Sequence, residues 1–217
     1  MTKVNKKDEV LNQIIDVIKS PFEEKGFQLK RKYYFESEDS YGNIQQYEIH
    51  LTNRKGYFSM QLRLNLLNKL LLKKVNSVLE KALKDEDYPY FQDESSINIR
   101  LKSAYLTGIT DWKIFKNSDE SLEDFNKRFS IWICNFDDIS EKKNWKEQLL
   151  ESVNLATQWF LNIGKNDEWI ISNTDYPALY LLKEKGKEIE LQKKYEDIMV
   201  NFRLKEELKL FFKHLNQ

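Results

Sequence analysis

The sequence predicts an α+β fold, with an antiparallel meander sheet of about five to six strands packed by an N-terminal helix and a second long helix, and an all-helical C-terminal tail. Three observations predict it. Apolar residues recur at three- and four-residue steps near the start, at Val10, Ile14, Val17 and Ile18. They then alternate at every second position through several runs between Phe27 and Leu101, and beyond Pro177 only the helical step remains. Residues 1–165 are expected to form an α+β body and residues 166–217 a helical tail docked on it.

Composition sets the class. In 217 residues, 41% are hydrophobic and 13% aromatic, which excludes intrinsic disorder, and only six Gly and three Pro exclude a linker-rich chain. Thirty-five basic and 35 acidic residues cancel, so no bulk charge draws the protein to nucleic acid or an anionic membrane. Lysine supplies 29 of the basic residues and arginine six. Lys6, Lys7, Asp8 and Glu9 sit where a secretory signal would need apolar residues, and Leu62–Leu72 is interrupted by Arg63, Asn65, Asn68 and Lys69, so no membrane span is legible. With one cysteine, Cys134, and no Asn-x-Ser/Thr site, the expected home is the reducing cytoplasm.

Element by element, Ser20-Pro21-Phe22-Glu23 reads as a capped N-terminus at which the first helix kinks or restarts, and Gly26 as its left-handed end. Phe27 to Phe35 then alternates as one strand. Tyr47–Leu51 and Phe58–Leu66 read as a hairpin around Asn53-Arg54-Lys55-Gly56. A helix follows from Asn68, then an acidic loop Asp85–Glu94. Ile97–Leu101 alternates again, Trp112–Phe115 is a short apolar run, and Phe129–Phe136 reads as a central, doubly covered strand. Asp138 and Glu141 cap the long helix through Trp145, Leu149, Val153, Ala156 and Phe160, and the tail carries helical lines broken at Gly186.

The inventory of reactive groups is thin. His50 and His214 have no His or Cys at ligand spacing, so no metal is expected. His214 complements a helix dipole. Cys134, within Ile131-Trp132-Ile133, reads as a core thiol, and no glycine-rich phosphate loop is present, so no cofactor is expected. Two surfaces remain. If the alternating runs are neighbours, the face away from the core displays Lys30, Lys32, Tyr34, His50, Arg63, Arg100 and Lys102 beside Glu48 and Asn65, a basic docking surface. The acidic loop sets Tyr88, Tyr90 and Phe91 among Asp87, Asp93 and their neighbours, a pattern suited to a basic partner.

Ser20-Pro21-Phe22-Glu23-Glu24-Lys25-Gly26-Phe27, followed by Tyr33-Tyr34-Phe35 and Phe58-Ser59-Met60-Gln61-Leu62, resembles the opening of the bacterial family of domains of unknown function number 4304. The likeness covers Val10 to Leu66. It implies an α+β fold, brings no catalytic residues, and by analogy implies an immunity-type or accessory role. The expected function is a non-enzymatic, protein-binding domain. The alternative is a nucleic-acid-associated protein using the basic strand face, and the third reading is a hydrolase pairing His50 with Glu48.

Overall fold

The computed structural model describes residues 6–90, 93–102, 106–163 and 167–217. In chain order the first elements are α1 (Lys6–Glu23), β1 (Gln28–Lys30), β2 (Tyr34–Glu38), β3 (Ile44–Arg54), β4 (Tyr57–Leu67), α2 (Lys69–Leu83), α3 (Glu94–Leu101) and β5 (Thr107–Ile109). They are followed by α4 (Leu122–Arg128), β6 (Ile133–Phe136), α5 (Trp145–Ile163), α6 (Glu168–Asn173), α7 (Tyr176–Glu184), α8 (Glu188–Asn201) and α9 (Lys205–Leu215). The chain divides into two compact units: Met1–Leu66 with Gly108–Gly164, and Leu67–Thr107 with Lys165–Gln217.

The first unit is the α+β part. Its six-stranded antiparallel sheet runs β1-β2-β3-β4-β5 in meander order, and β6 also pairs with β4, Phe58 opposite Phe136 and Gln61 opposite Ile133. The apolar parity of β3 and β4 buries Tyr47, Ile49, Leu51, Phe58, Met60, Leu62, Leu64 and Leu66. Against them lie Ile14, Ile18 and Phe22 of α1 and Leu149, Val153, Ala156 and Phe160 of α5. Polar contacts also cross this core: Tyr47 Oη lies 2.8 Å from Ser152 Oγ, and Gln45 Nε2 donates to the Phe160 carbonyl at 3.4 Å; burial holds the Tyr47 phenol well above its usual range.

Gly26 ends α1 as the sequence predicts. Its φ is +82°, its N–H bonds the Glu23 carbonyl at 3.0 Å, and the Phe27 N–H reaches back to the Phe22 carbonyl at 3.0 Å. The ring contact Phe22–Phe27 at 5.2 Å completes this helix-end motif. The expected restart at Ser20 does not occur. α1 runs through Pro21, which sits in its last turn, where few later N–H bonds depend on it.

Several other expectations are corrected. Phe27–Phe35 is a hairpin: Leu29 pairs with Phe35 and Lys30 with Tyr34 across the turn Arg31–Tyr33. Arg31 (φ +49°) and Lys32 (φ +65°) hold left-handed backbone without being Gly or Asn, a geometry that costs about 1–2 kcal/mol per residue. Ile97–Leu101 lies in α3, because Asp93 Oδ1 accepts the Ser96 N–H at 2.7 Å and caps a helix. There Ile97 is buried while Ile99 is 67% exposed, so alternation over five residues reported no strand face. Trp112–Phe115 is a 3-10 turn whose indole donates to the Leu62 carbonyl at 3.0 Å.

Only Ile133–Phe136 of the expected central strand is β, and Ile133 is exposed. Phe129, Ile131 and Trp132 are buried as loop anchors, pinned by Gln148, whose Oε1 accepts from the N–H groups of Ser130 (2.7 Å) and Ile131 (3.0 Å). Asp138 caps the 3-10 turn Ile139–Glu141, and α5 starts later, at Trp145.

The second unit is helical. Asn68 caps α2 by accepting the Leu71 N–H at 2.9 Å, and α2 packs on α3, α7 and α9 through Leu71, Val75, Leu79, Ala82 and Leu83. α9 contributes Leu208, Phe211 and Leu215, and Tyr176 of α7 stacks against Phe211 at 4.5 Å. Gly186 (φ +67°) separates α7 from α8, as the sequence predicts. Residues 67–107, read from sequence as part of the body, thus join the tail.

Candidate functional site

Period two brings Lys30, Tyr34, His50 and Arg63 to one face of the sheet, away from the core. Lys30 pairs with Tyr34, and Tyr34 with Glu48, so these share a side with His50 two residues on. Lys32 stands in the turn beside them. Arg100 and Lys102 are not on this face: Arg100 belongs to α3 and Lys102 caps its end, both in the helical unit. The face also carries Glu36 and Glu48, joined by a ladder of amides. Gln46 Nε2 donates to Glu36 Oε1 (2.9 Å), and Asn65 Nδ2 donates to Gln46 Oε1 (2.8 Å) and Glu48 Oε2 (3.3 Å). Its charge is therefore mixed, with the carboxylates of β2 and β3 set among Lys30, His50 and Arg63. A Cβ at Gly108 would stand 3.0 Å from Asn65 Oδ1, which explains why β5 passes the ladder with a glycine.

His50 shares this face with Glu48, but its Nδ1 lies 3.9 Å from Glu48 Oε1, beyond hydrogen-bond reach. Partial burial, with the Arg63 charge, pushes the imidazole below its ordinary pKa against the opposing pull of Glu48. The carboxylate does not orient the ring as a catalytic pair requires. Cys134 is half-buried on β6, and burial pushes its thiol up to about 11.

The acidic loop has partners inside the chain. Lys213 Nζ meets Asp85 Oδ2 at 3.1 Å and Asp87 Oδ2 at 3.2 Å, and His214 Nε2 lies 2.6 Å from Asp85 Oδ2. Tyr88 Oη donates to Glu207 Oε2 at 3.2 Å, and Asp93 is spent on capping α3. Of the loop's described aromatics Tyr90 is open to solvent and Tyr88 is half-buried, and Phe91 lies outside the described residues. Glu207, buried on α9, also accepts from Arg100 Nη2 (2.6 Å) and Tyr176 Oη (2.6 Å). Burial first, then the Glu207 carboxylate, pushes the Tyr88 phenol up to about 12 and raises Tyr176 further.

The basic partner that the loop calls for is thus the protein's own α9, through Lys213 and His214. Sequence reasoning missed Glu207, and gave His214 a helix-dipole role where the structure pairs it with Asp85. Glu207 had a signal: it lies three residues after Leu204 and four before Phe211, on the apolar stripe, where a carboxylate needs a buried partner.

The loop latch has a pH signature. The Asp87 backbone N–H, then Lys213, lower the Asp85 pKa to about 2. A carboxylate bound more tightly to its negative form when folded stabilises above its unfolded pKa and loses that contribution as pH falls through the folded one. Chemical unfolding from pH 5 down to 2 is therefore expected to show a stability gap between the native chain and Asp85→Asn that closes between about pH 4 and about pH 2. A gap independent of pH would refute the assignment.

Beside the latch lies a cleft of about 710 Å³, lined by Ser77, Glu80, Lys81, Lys84, Lys213 and His214 among others. It shares Ser77 and Glu80 with a second groove of about 590 Å³, whose half-buried floor is Leu72 and Leu101 and whose rim is Lys69, Lys73 and Asn76. Asn76 Nδ2 fixes this floor by donating to the Leu101 carbonyl at 2.8 Å. Lys74 and Lys84 are tied to Glu184 and Glu80. Among the described residues no carboxylate comes within 4.0 Å of Lys69, Lys73 or Lys81. Also among the described residues, no group of three His, Cys, Asp or Glu side chains is placed to hold a metal, and no helix is long and apolar enough to cross a membrane. No family model, no curated protein and no solved structure matches the chain.

Proposed function

We propose that this protein is a non-catalytic docking domain that receives an acidic, apolar segment of another protein along α2. The observation that carries this reading is the pairing of an aliphatic floor, Leu72 and Leu101, with lysines that have no carboxylate within 4.0 Å among the described residues, Lys69 and Lys73 on successive turns and Lys81 further along. Aliphatic side chains entering the groove would supply affinity, and carboxylates meeting the lysines would set orientation and on-rate. The resemblance of Val10–Leu66 to family 4304 supports an immunity-type or accessory role, and a single half-buried thiol fits work in the cytoplasm.

The test is a titration of the isotope-labelled full chain with a synthetic peptide of about four helical turns, leucine on one face and glutamate elsewhere. Amide shifts are expected to concentrate at Lys69–Lys84 and Leu101, and Lys69→Glu/Lys73→Glu is expected to weaken binding by about tenfold. Equal affinity for a peptide with lysine in place of glutamate, or no loss in the charge-reversed variant, would sink the reading.

A further inference from the structure

Arginine is scarce in this chain, and its placement is uneven. Of six arginines, Arg100 is bonded to Glu207, and Arg128 to Glu120 and Glu151. Three of the other four belong to the α+β unit: Arg31 in the β1–β2 turn, Arg54 at the end of β3 and Arg63 midway along β4. Among the described residues none of these three has a carboxylate within 4.0 Å, and Arg63 bonds only the Gln61 amide, at 3.1 Å. The Ile49 N–H donates to the Tyr33 carbonyl at 2.8 Å, which sets the Arg31-Lys32 turn alongside β3 next to His50. Arg63 is close enough to His50 to depress its protonation, and Arg54 follows His50 by four residues on the same side of β3, about 13 Å along the strand.

Aromatic faces accompany these cations. Tyr33 is 40% and Tyr57 41% exposed, and Tyr34 packs edge-on against Tyr33 at 5.0 Å. The backbone adds an independent sign. Arg31 and Lys32 occupy two consecutive left-handed positions that Asn-Gly would fill with less strain, so the turn holds long cations where the conformation disfavours them.

We propose that this stretch of the sheet, from the β1–β2 turn across His50 and Arg63 to the end of β3, is a docking surface for single-stranded nucleic acid, with Arg31, Arg54 and Arg63 on phosphates and Tyr33 and Tyr57 stacked on bases. In a chain with 29 lysines, a local concentration of arginine selects for the planar, two-pronged geometry that fits a phosphate. Open tyrosine faces suit unstacked bases, which a duplex does not offer. This surface is independent of the α2 groove, and either can fail without the other.

Fluorescence anisotropy of the full chain with labelled oligo-dT and oligo-U of about 15 nucleotides tests it, the two arms separating DNA from RNA. Binding to either is expected to weaken with salt, with a log–log slope near about −2 for three phosphate contacts. Arg31→Glu/Arg54→Glu/Arg63→Glu is expected to lose about thirtyfold or more, and the matching triple lysine variant only a few-fold. Arg31→Asn/Lys32→Gly provides the control for folding: it is expected to raise the melting temperature while weakening binding several-fold. No binding to either strand, binding insensitive to salt, full binding by the triple glutamate variant, or equal competition by polyglutamate, which would mark an acidic protein site, each overturns the proposal.

Discussion

Replacing Arg100 by leucine is expected to destabilise the helical unit by about 3–5 kcal/mol, because it strands a buried carboxylate. Glu207 keeps only 1% of its side chain exposed, whereas Arg100 keeps 40%. The two members of the pair are therefore unequal. Without Arg100 the Glu207 charge stays in the interior with two phenol donors, while without Glu207 the guanidinium can turn to water. Arg100→Leu/Glu207→Gln is expected to recover about 2 kcal/mol, since the charge is gone and the amide still serves both phenols, its oxygen accepting from one hydroxyl and its N–H donating to the other. Urea unfolding of the single and double variants measures this directly. A double variant no more stable than Arg100→Leu would show that lost packing, and not the abandoned charge, sets the cost.

Phe22→Ala is expected to be as damaging in the other unit, at about 3–5 kcal/mol, with a fall in melting temperature of roughly 10 °C. Phe22 is fully buried where three segments meet, its ring 4.6 Å from Phe35, 4.8 Å from Tyr47 and 5.2 Å from Phe27. Truncation removes the helix-to-sheet contact and also the hydrophobic half of the motif that ends α1. Phe22→Leu keeps most of the volume and is expected to cost less than half as much. A small loss for Phe22→Ala in thermal melts would mean that the core closes over the gap.

How much of this was legible depended on how far apart the interacting residues lie. α1, α2, α5 and α9 were readable because a stripe at steps of three and four needs only its own residues, and the β3–β4 hairpin because both runs alternate around Gly56. The β1–β2 turn was not, since Arg31 and Lys32 are the wrong residues for left-handed backbone and signal nothing. Ile97–Leu101 misled because a five-residue run fits period two and period 3.6 alike. Phe129–Phe136 misled because loop anchors are apolar too.

The site divides in the same way. Lys30, Tyr34, His50 and Arg63 share a face that alternation alone assigns. Pairing of Asp85 with His214 spans 129 residues, and no local pattern reports a contact at that range.

The helical unit is assembled from two stretches that the ribosome delivers far apart in time. At about 5–20 residues per second, the interval between completing Leu83 and completing Leu215 is roughly 7–26 s. Throughout it the nascent chain carries Leu71, Val75 and Leu79 without the α9 surface that covers them. Until α9 emerges the uncovered α2 stripe is the kind of apolar surface that holding chaperones take up, and a chain that stops before α9 is expected to be harmed as much as one that lacks α2.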